Sequence, residues 1–212
     1  MLDILAQTHK LVANNIHQVI LKKYGIELNI SKLEWGSVAP DVLPYYKLIR
    51  HYKDESLNYI VREIISLIYL CRYSDLINAE DSLVIRYLSR KIGIISHYLC
   101  DYTCYPHAHR MTFLNDMKSH IKYESDLAEY ALIHSFKNLN LDIEKLNIYD
   151  DSNRSLNTRV SEYINKIIDD YLEAGSCFEN DLNYAFELSK EITCFIIETI
   201  LDYSEEMQYQ FI

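Results

Sequence analysis

Apolar residues recur at spacings of three and four along six stretches of the chain: Leu5–Leu21, Leu57–Cys71, Leu83–Leu99, Leu127–Phe136, Val160–Leu172 and Leu182–Tyr203. That period lays the apolar positions along one face of a helix, so the pattern predicts at least six helices. Only four glycines and three prolines interrupt the chain. The long runs of Leu, Ile, Glu, Lys and Tyr between them are helical in composition, and strands have little support. The expected fold is all-α: a single compact multi-helix domain over residues 1–212, with 49% hydrophobic residues to fill its core.

Two stretches fall outside the periodic pattern. Gly25–Tyr45 reads as a long loop containing Trp35-Gly36-Ser37-Val38-Ala39-Pro40-Asp41; structureless loops of that size are uncommon in compact domains and point to function. Asn138–Asn157 is polar, rich in Asn and Asp and broken by isolated leucines, and is expected to be a surface excursion. No internal repeat or linker divides the chain.

Charge and cysteine usage narrow the classes. Five cysteines, an odd and scattered set, cannot form a complete disulfide framework, which suits a reducing compartment. The amino terminus lacks the basic and apolar regions of a secretory signal, so a cytoplasmic location is expected. The most apolar window, Tyr59–Cys71, carries Arg62 and Glu63 and is too short to span a membrane. A formal net charge of -10 disfavours a stable nucleic-acid partner and acidic lipid as a tightly bound one. A cationic metal site would reverse that field locally, so an enzyme acting on anions is not excluded.

Candidate chemistry concentrates between His97 and Glu124. His97 and Asp101 are four apart at the end of a periodic helix and project from one face; His120 and Glu124 repeat that geometry on the next helix. Pro106 favours an extended or turn conformation before His107, which can bring this imidazole back between the two pairs. Imidazoles with one or two carboxylates suit zinc, and open coordination positions are what a catalytic site requires. Any one of these residues alone is more often a core or surface side chain. Two such pairs bracketing a Pro-His are a different matter.

Other tempting residues are set aside. His17, His109 and His134 are expected to face solvent rather than a metal. Cys100 and Cys104 flank Asp101 but are expected to point away from it as buried, inert thiols. Tyr98, Tyr102, Tyr105 and Tyr123 gather around the candidate ligands; packing accounts for most of them, with one or two hydroxyls expected to line the pocket or hydrogen-bond to the ligands.

The order His97, three residues, Asp101, five residues, His107, then His120 and Glu124 four apart resembles the signature of the bacterial zinc-dependent phospholipase C family. Upstream, Gly36-Ser37 running into Pro40-Asp41, with His51 and an amino-terminal His9, is similar to that family as well. The resemblance covers about residue 9 to about residue 130. It implies the family's all-helical fold and two zinc ions, one held by His51, His97 and Asp101 and one by His107, His120 and Glu124. It also implies a third zinc shared between His9 and Asp101, with Asp41 at the metal cluster as candidate general base. Secreted family members complete that third site with the amino group of a processed terminal Trp, where this chain has Met1.

The implied activity is hydrolysis of a phosphodiester by metal-activated water, on a phospholipid or a small phosphoester. The alternatives on the same framework are a nuclease-like phosphodiesterase, for which the net charge is unfavourable, and a zinc-binding module without catalysis. A metal-dependent HD phosphohydrolase would need a His-Asp dipeptide, and the chain has none.

Overall fold

The computed structural model describes residues 2–111, 117–149 and 153–210. Eight α-helices follow one another: α1 Leu2–Tyr24, α2 Ile30–Val42, α3 Lys53–Cys71, α4 Leu83–Tyr102, α5 Tyr105–Ala108, α6 Met117–Ala131, α7 Leu156–Ala174 and α8 Phe178–Gln210, with a 3-10 turn at Tyr46–Leu48. There is no strand among the described residues. The fold class expected from periodicity is the one observed, and every periodic stretch overlaps a helix.

The expected loop Gly25–Tyr45 is corrected: most of it is α2. Asn29 starts this helix by accepting the Lys32 N–H on its side chain at 2.9 Å, as a helix N-cap does. Pro40 lies near its end, and the backbone turns extended at Leu43. No apolar stripe betrays α2 because its buried face is made of small residues, among them Gly36, Ser37 and Ala39. A Cβ on Gly36 would stand 2.2 Å from the Arg90 carbonyl oxygen, and one on Gly93 2.2 Å from that of Leu33. Here α2 and α4 meet backbone to backbone, which only glycine at both positions allows.

Two further boundaries move. The helix expected at Leu127–Phe136 is α6, which begins ten residues earlier because its first turns are polar, and which ends at Ala131, with Leu132 and Ile133 turned outward. The 138–149 stretch has no helix, yet it is no detached excursion: Leu139, Leu141, Ile143, Leu146 and Ile148 pack on the core at near-alternate positions. The Leu139 N–H donates to Glu187 at 3.0 Å, and Lys190 donates to Asn138 at 3.0 Å. It is a strap along α8.

One apolar cluster joins side chains of α1, α2, α3, α4, α7 and α8, including Ile16, Leu33, Ile64, Ile92, Ile167 and Ile196. A smaller one, around Cys104, Leu127, Ala131 and Leu182, fixes α6 to α8. The five cysteines are free thiols, four of them buried. No helix among the described residues is long and apolar enough to cross a membrane.

Candidate metal centre

Five helices and the connection before α3 deliver side chains to one place. His97 and Asp101 sit one turn apart near the end of α4, both buried. The His97 Nδ1–H donates to the Ser37 carbonyl of α2 at 2.8 Å, which leaves the Nε2 lone pair facing Asp101 Oδ2 at 3.3 Å. His51, just before α3, places Nδ1 at 2.7 Å from the same oxygen and 3.1 Å from His97 Nε2. His9 of α1 stacks on the His97 ring at 4.1 Å, its Nε2 3.6 Å from Asp101 Oδ1. Asp41, at the end of α2, brings Oδ1 to 3.6 Å from His97 Nε2 and 3.9 Å from His51 Nδ1.

The second group is adjacent. His107 of α5 lies 3.0 Å from Glu124 Oε1 and 3.7 Å from Asp101 Oδ1. His120 of α6 approaches the same Glu124 oxygen at 3.0 Å, while its Nδ1–H donates to the Met111 carbonyl at 3.0 Å. Pro106 falls within the first turn of the short α5, after an extended Cys104; the extension expected immediately before His107 is thus displaced to Cys104. The structure brings all eight candidate residues together. Met1, where the chain departs from the family resemblance, lies outside the described residues.

Electrostatics mark the cluster as a place built around charge. Burial, with the charge of His97, lowers His9 to about 4, and burial likewise lowers His97 to about 4. Burial opposes ionisation of Asp101, but the surrounding imidazoles His97, His107 and His51 outweigh it and hold the carboxyl far below the usual range. The same contest at Glu124, won by His107 and His120, holds it at about 2. Burial pushes Asp41 the other way, above an ordinary aspartate.

The donor set fits a metal ion. Three groups each place three ligand atoms within 4.8 Å of one another: His9, Asp41 and His97; His51, His97 and Asp101; and His107, His120 and Glu124. His97 and His51 turn nitrogens toward each other and toward one carboxylate, more lone pairs than the protons of neutral imidazoles can serve. The Nδ1 atoms of His9 and His107 are buried with no hydrogen-bond partner among the described residues. Nitrogen and oxygen ligands in threes are zinc's chemistry.

A cavity of about 500 Å³ opens on the cluster and is lined by every one of the eight residues except His97. Cys100 and Cys104 line it too, so the expectation that they point away is corrected; burial raises both thiols, Cys100 to about 12, which keeps them protonated. His109 is exposed as expected, but His17 is buried and His134 is half-buried, its Nε2–H donating to the Asn183 side-chain oxygen at 2.9 Å. None of the four tyrosine hydroxyls near the ligands bonds to one: Tyr98 reaches the Ile49 carbonyl, Tyr102 pairs with Ser56, and Tyr123 donates to Asp181.

Asp181 is the residue that the sequence reading missed. Buried on α8, it accepts the Tyr105 N–H at 3.0 Å and the Tyr123 hydroxyl at 2.8 Å on one oxygen, and the Tyr171 hydroxyl at 2.8 Å on the other. It thereby ties down the neighbours of His107 and Glu124. The available signal was an acid at 181 in register with buried Ala185, Leu188 and Ile192, on the face where carboxylates are rare.

The sequence model of a protein family described as zinc dependent phospholipase C matches residues 8–178, a span that contains all eight residues of the cluster. No curated protein and no solved structure matches the chain.

Proposed function

Because the chain belongs to the zinc-dependent phospholipase C family, we propose that it is a hydrolase that cleaves a phosphodiester of a phospholipid or a small phosphoester at this cluster. The observation that carries the reading is the convergence of three ligand groups on one cavity, two of them sharing His97, with Asp101 standing 3.6 Å from His9 and 3.7 Å from His107. In the proposed assignment His51, His97 and Asp101 hold one zinc, and His107, His120 and Glu124 hold a second. His9 and Asp41, beside Asp101 and His97, are placed to hold a third. Bound zinc supplies positive charge that neutralises the phosphate oxygens and acidifies water near them.

The chain's own residues supply the rest. Ser37 and Met111 carbonyls fix the His97 and His120 tautomers so that Nε2 faces inward. Asp101 sets the orientation of His51 by a 2.7 Å contact and stands between the two groups. Asp41 is the least committed acid: a third of its side chain is exposed, it lines the cavity, and its contacts to imidazole are 3.6 Å or longer. A carboxylate so placed can take a proton from an attacking water.

The test is metal content per chain beside hydrolysis of a chromogenic phosphodiester, for the parent and for Asp101→Asn. Two or more zincs and turnover are expected in the parent. Asp101→Asn should lose metal from both groups and at least about a thousandfold of the rate, since a ligand oxygen and the link between groups go together. A parent that binds one zinc and turns over nothing would identify a zinc-binding module instead.

A further inference from the structure

The connection from α2 to α3 turns apolar side chains outward next to the cavity. Val42, Leu43, Tyr45 and Leu48 are all exposed, Tyr45 to 67% and Leu48 to 86%. Single exposed apolar residues are ordinary; four within seven positions, from the last residue of α2 into the connection, are a concentration that calls for an explanation. Cations alternate with them. Lys47 and Arg50 are exposed on the same segment and line the cavity, and Arg90 and Lys91 of α4 stand within electrostatic reach of Tyr46.

The charges of these cations are only partly spent inside the protein. Lys91 pairs with Glu63, and the Arg50 Nε stands 3.6 Å from Glu55 Oε2, a loose contact on the surface. Lys47 and Arg90 have no ion-pair partner among the described residues. The formal net charge of -10 disfavours acidic lipid for the chain as a whole, and this apolar and cationic face is the local exception through which an anionic surface could be met.

We infer that residues 42–50 are a docking surface for a lipid bilayer carrying anionic headgroups. Tyr45 and Leu48 enter the headgroup region, while Lys47 and Arg50 lie level with the phosphates, the arrangement by which aromatic, aliphatic and cationic side chains share a membrane interface. The inference rests on the phosphoesterase reading for its direction: docking through this segment would set the mouth of the cavity against the headgroups. Each cation near such a surface contributes about fivefold in affinity, and a Leu or Tyr moved out of water about tenfold more.

The experiment is co-sedimentation of the zinc-loaded protein with large vesicles of phosphatidylcholine alone or with phosphatidylglycerol added. The parent is compared with the Tyr45→Ser, Leu48→Asp double variant, and both are assayed on a soluble chromogenic diester. The parent should bind the anionic vesicles at least about tenfold more tightly than the neutral ones, and the variant should lose at least about tenfold on the anionic vesicles with its diester rate unchanged. Equal binding by parent and variant, or equal binding to both vesicles, would overturn the inference. So would a parent that dimerises without lipid and is dispersed by the substitutions, which would give the segment to a second copy of the chain. A parent that binds vesicles yet hydrolyses nothing would count against the phosphoesterase reading alone.

Discussion

The two halves of the ligand cluster meet across 3.7 Å, between Asp101 and His107, but they are held by different means. The inner half draws His9, Asp41, His97 and Asp101 from α1, α2 and α4, elements whose packing is the packing of the main core, and His51 from the connection just before α3. His97 is wholly buried, and its partner Ser37 lies one residue from the Gly36–Gly93 crossing. The outer half takes His107 from a four-residue helix and His120 and Glu124 from the first turns of α6, all with side chains 12–23% exposed. Beyond the small apolar cluster around Leu127 and Leu182, it depends on a few polar anchors, Met111 and Asp181 among them. Where ligands ride on a core, their geometry should fail only with the fold; where they ride on anchors, it can be loosened while the fold survives.

The largest effect should come from attacking the inner half through its packing. In Gly93→Ala the added carbon would stand 2.2 Å from Leu33 O, 2.8 Å from Ser37 N and 2.9 Å from Gly36 Cα, all backbone atoms that no rotamer change can move. Separating α2 from α4 should cost at least about 3 kcal/mol and carry Ser37 away from His97. Urea unfolding followed by circular dichroism should show a clearly lower midpoint with inner-group metal lost alongside; an unchanged midpoint would mean that the crossing is looser than it looks.

Next in size is His120→Ala, aimed at the outer half. Secondary-shell partners of metal ligands already cost about 10–100-fold when removed, so deleting a ligand should lower the diester rate by at least about a hundredfold. The unfolding midpoint should change little, and elemental analysis should find one zinc fewer per chain, with the inner group still filled. Loss of all metal in this variant would show that the halves fill as one unit and would erase the contrast.

The same contrast explains what the sequence disclosed. Helices α1, α3, α4, α7 and α8 were legible because each buries one apolar stripe. Helix α2 was not, since its contact with α4 is made by Gly36, Ser37 and Ala39, residues that carry almost no hydrophobic signal. The first turns of α6 carry no apolar stripe, because they face the cavity with polar side chains rather than the core, and only the His120–Glu124 spacing placed a helix there. The i, i+4 pairs His97–Asp101 and His120–Glu124 could be read as shared faces from spacing alone, while His9, Asp41 and His51 entered only through a family resemblance, because nothing local distinguishes them. Asp181 left only the trace of an acid on the apolar register of α8: its partners Tyr105, Tyr123 and Tyr171 are brought to it by the packing of α5, α6 and α7 on α8, a tertiary fact.

Asp181 also offers the smallest and most discriminating perturbation of the outer half. Truncation to Ala leaves the Tyr105 N–H and the Tyr123 hydroxyl without their acceptor, while the Tyr171 hydroxyl can turn to Ser176 Oγ at 3.0 Å. Released from it, Tyr105 and Tyr123 should let His107 and Glu124 drift, and zinc affinity at the outer group should fall by about 10–100-fold while the inner group stays filled. Asp181→Asn should restore most of this. Its carbonyl oxygen can keep the Tyr105 and Tyr123 bonds, and its amide can donate to the Tyr171 hydroxyl, which is able to reverse its role where a backbone N–H is not. Zinc competition with a chromogenic chelator reads the affinity of the weaker group directly. If Ala and Asn variants lose zinc equally, the carboxylate's charge rather than its three bonds holds the outer group, and Asp181 acts on the metals across the cavity instead of through the helices.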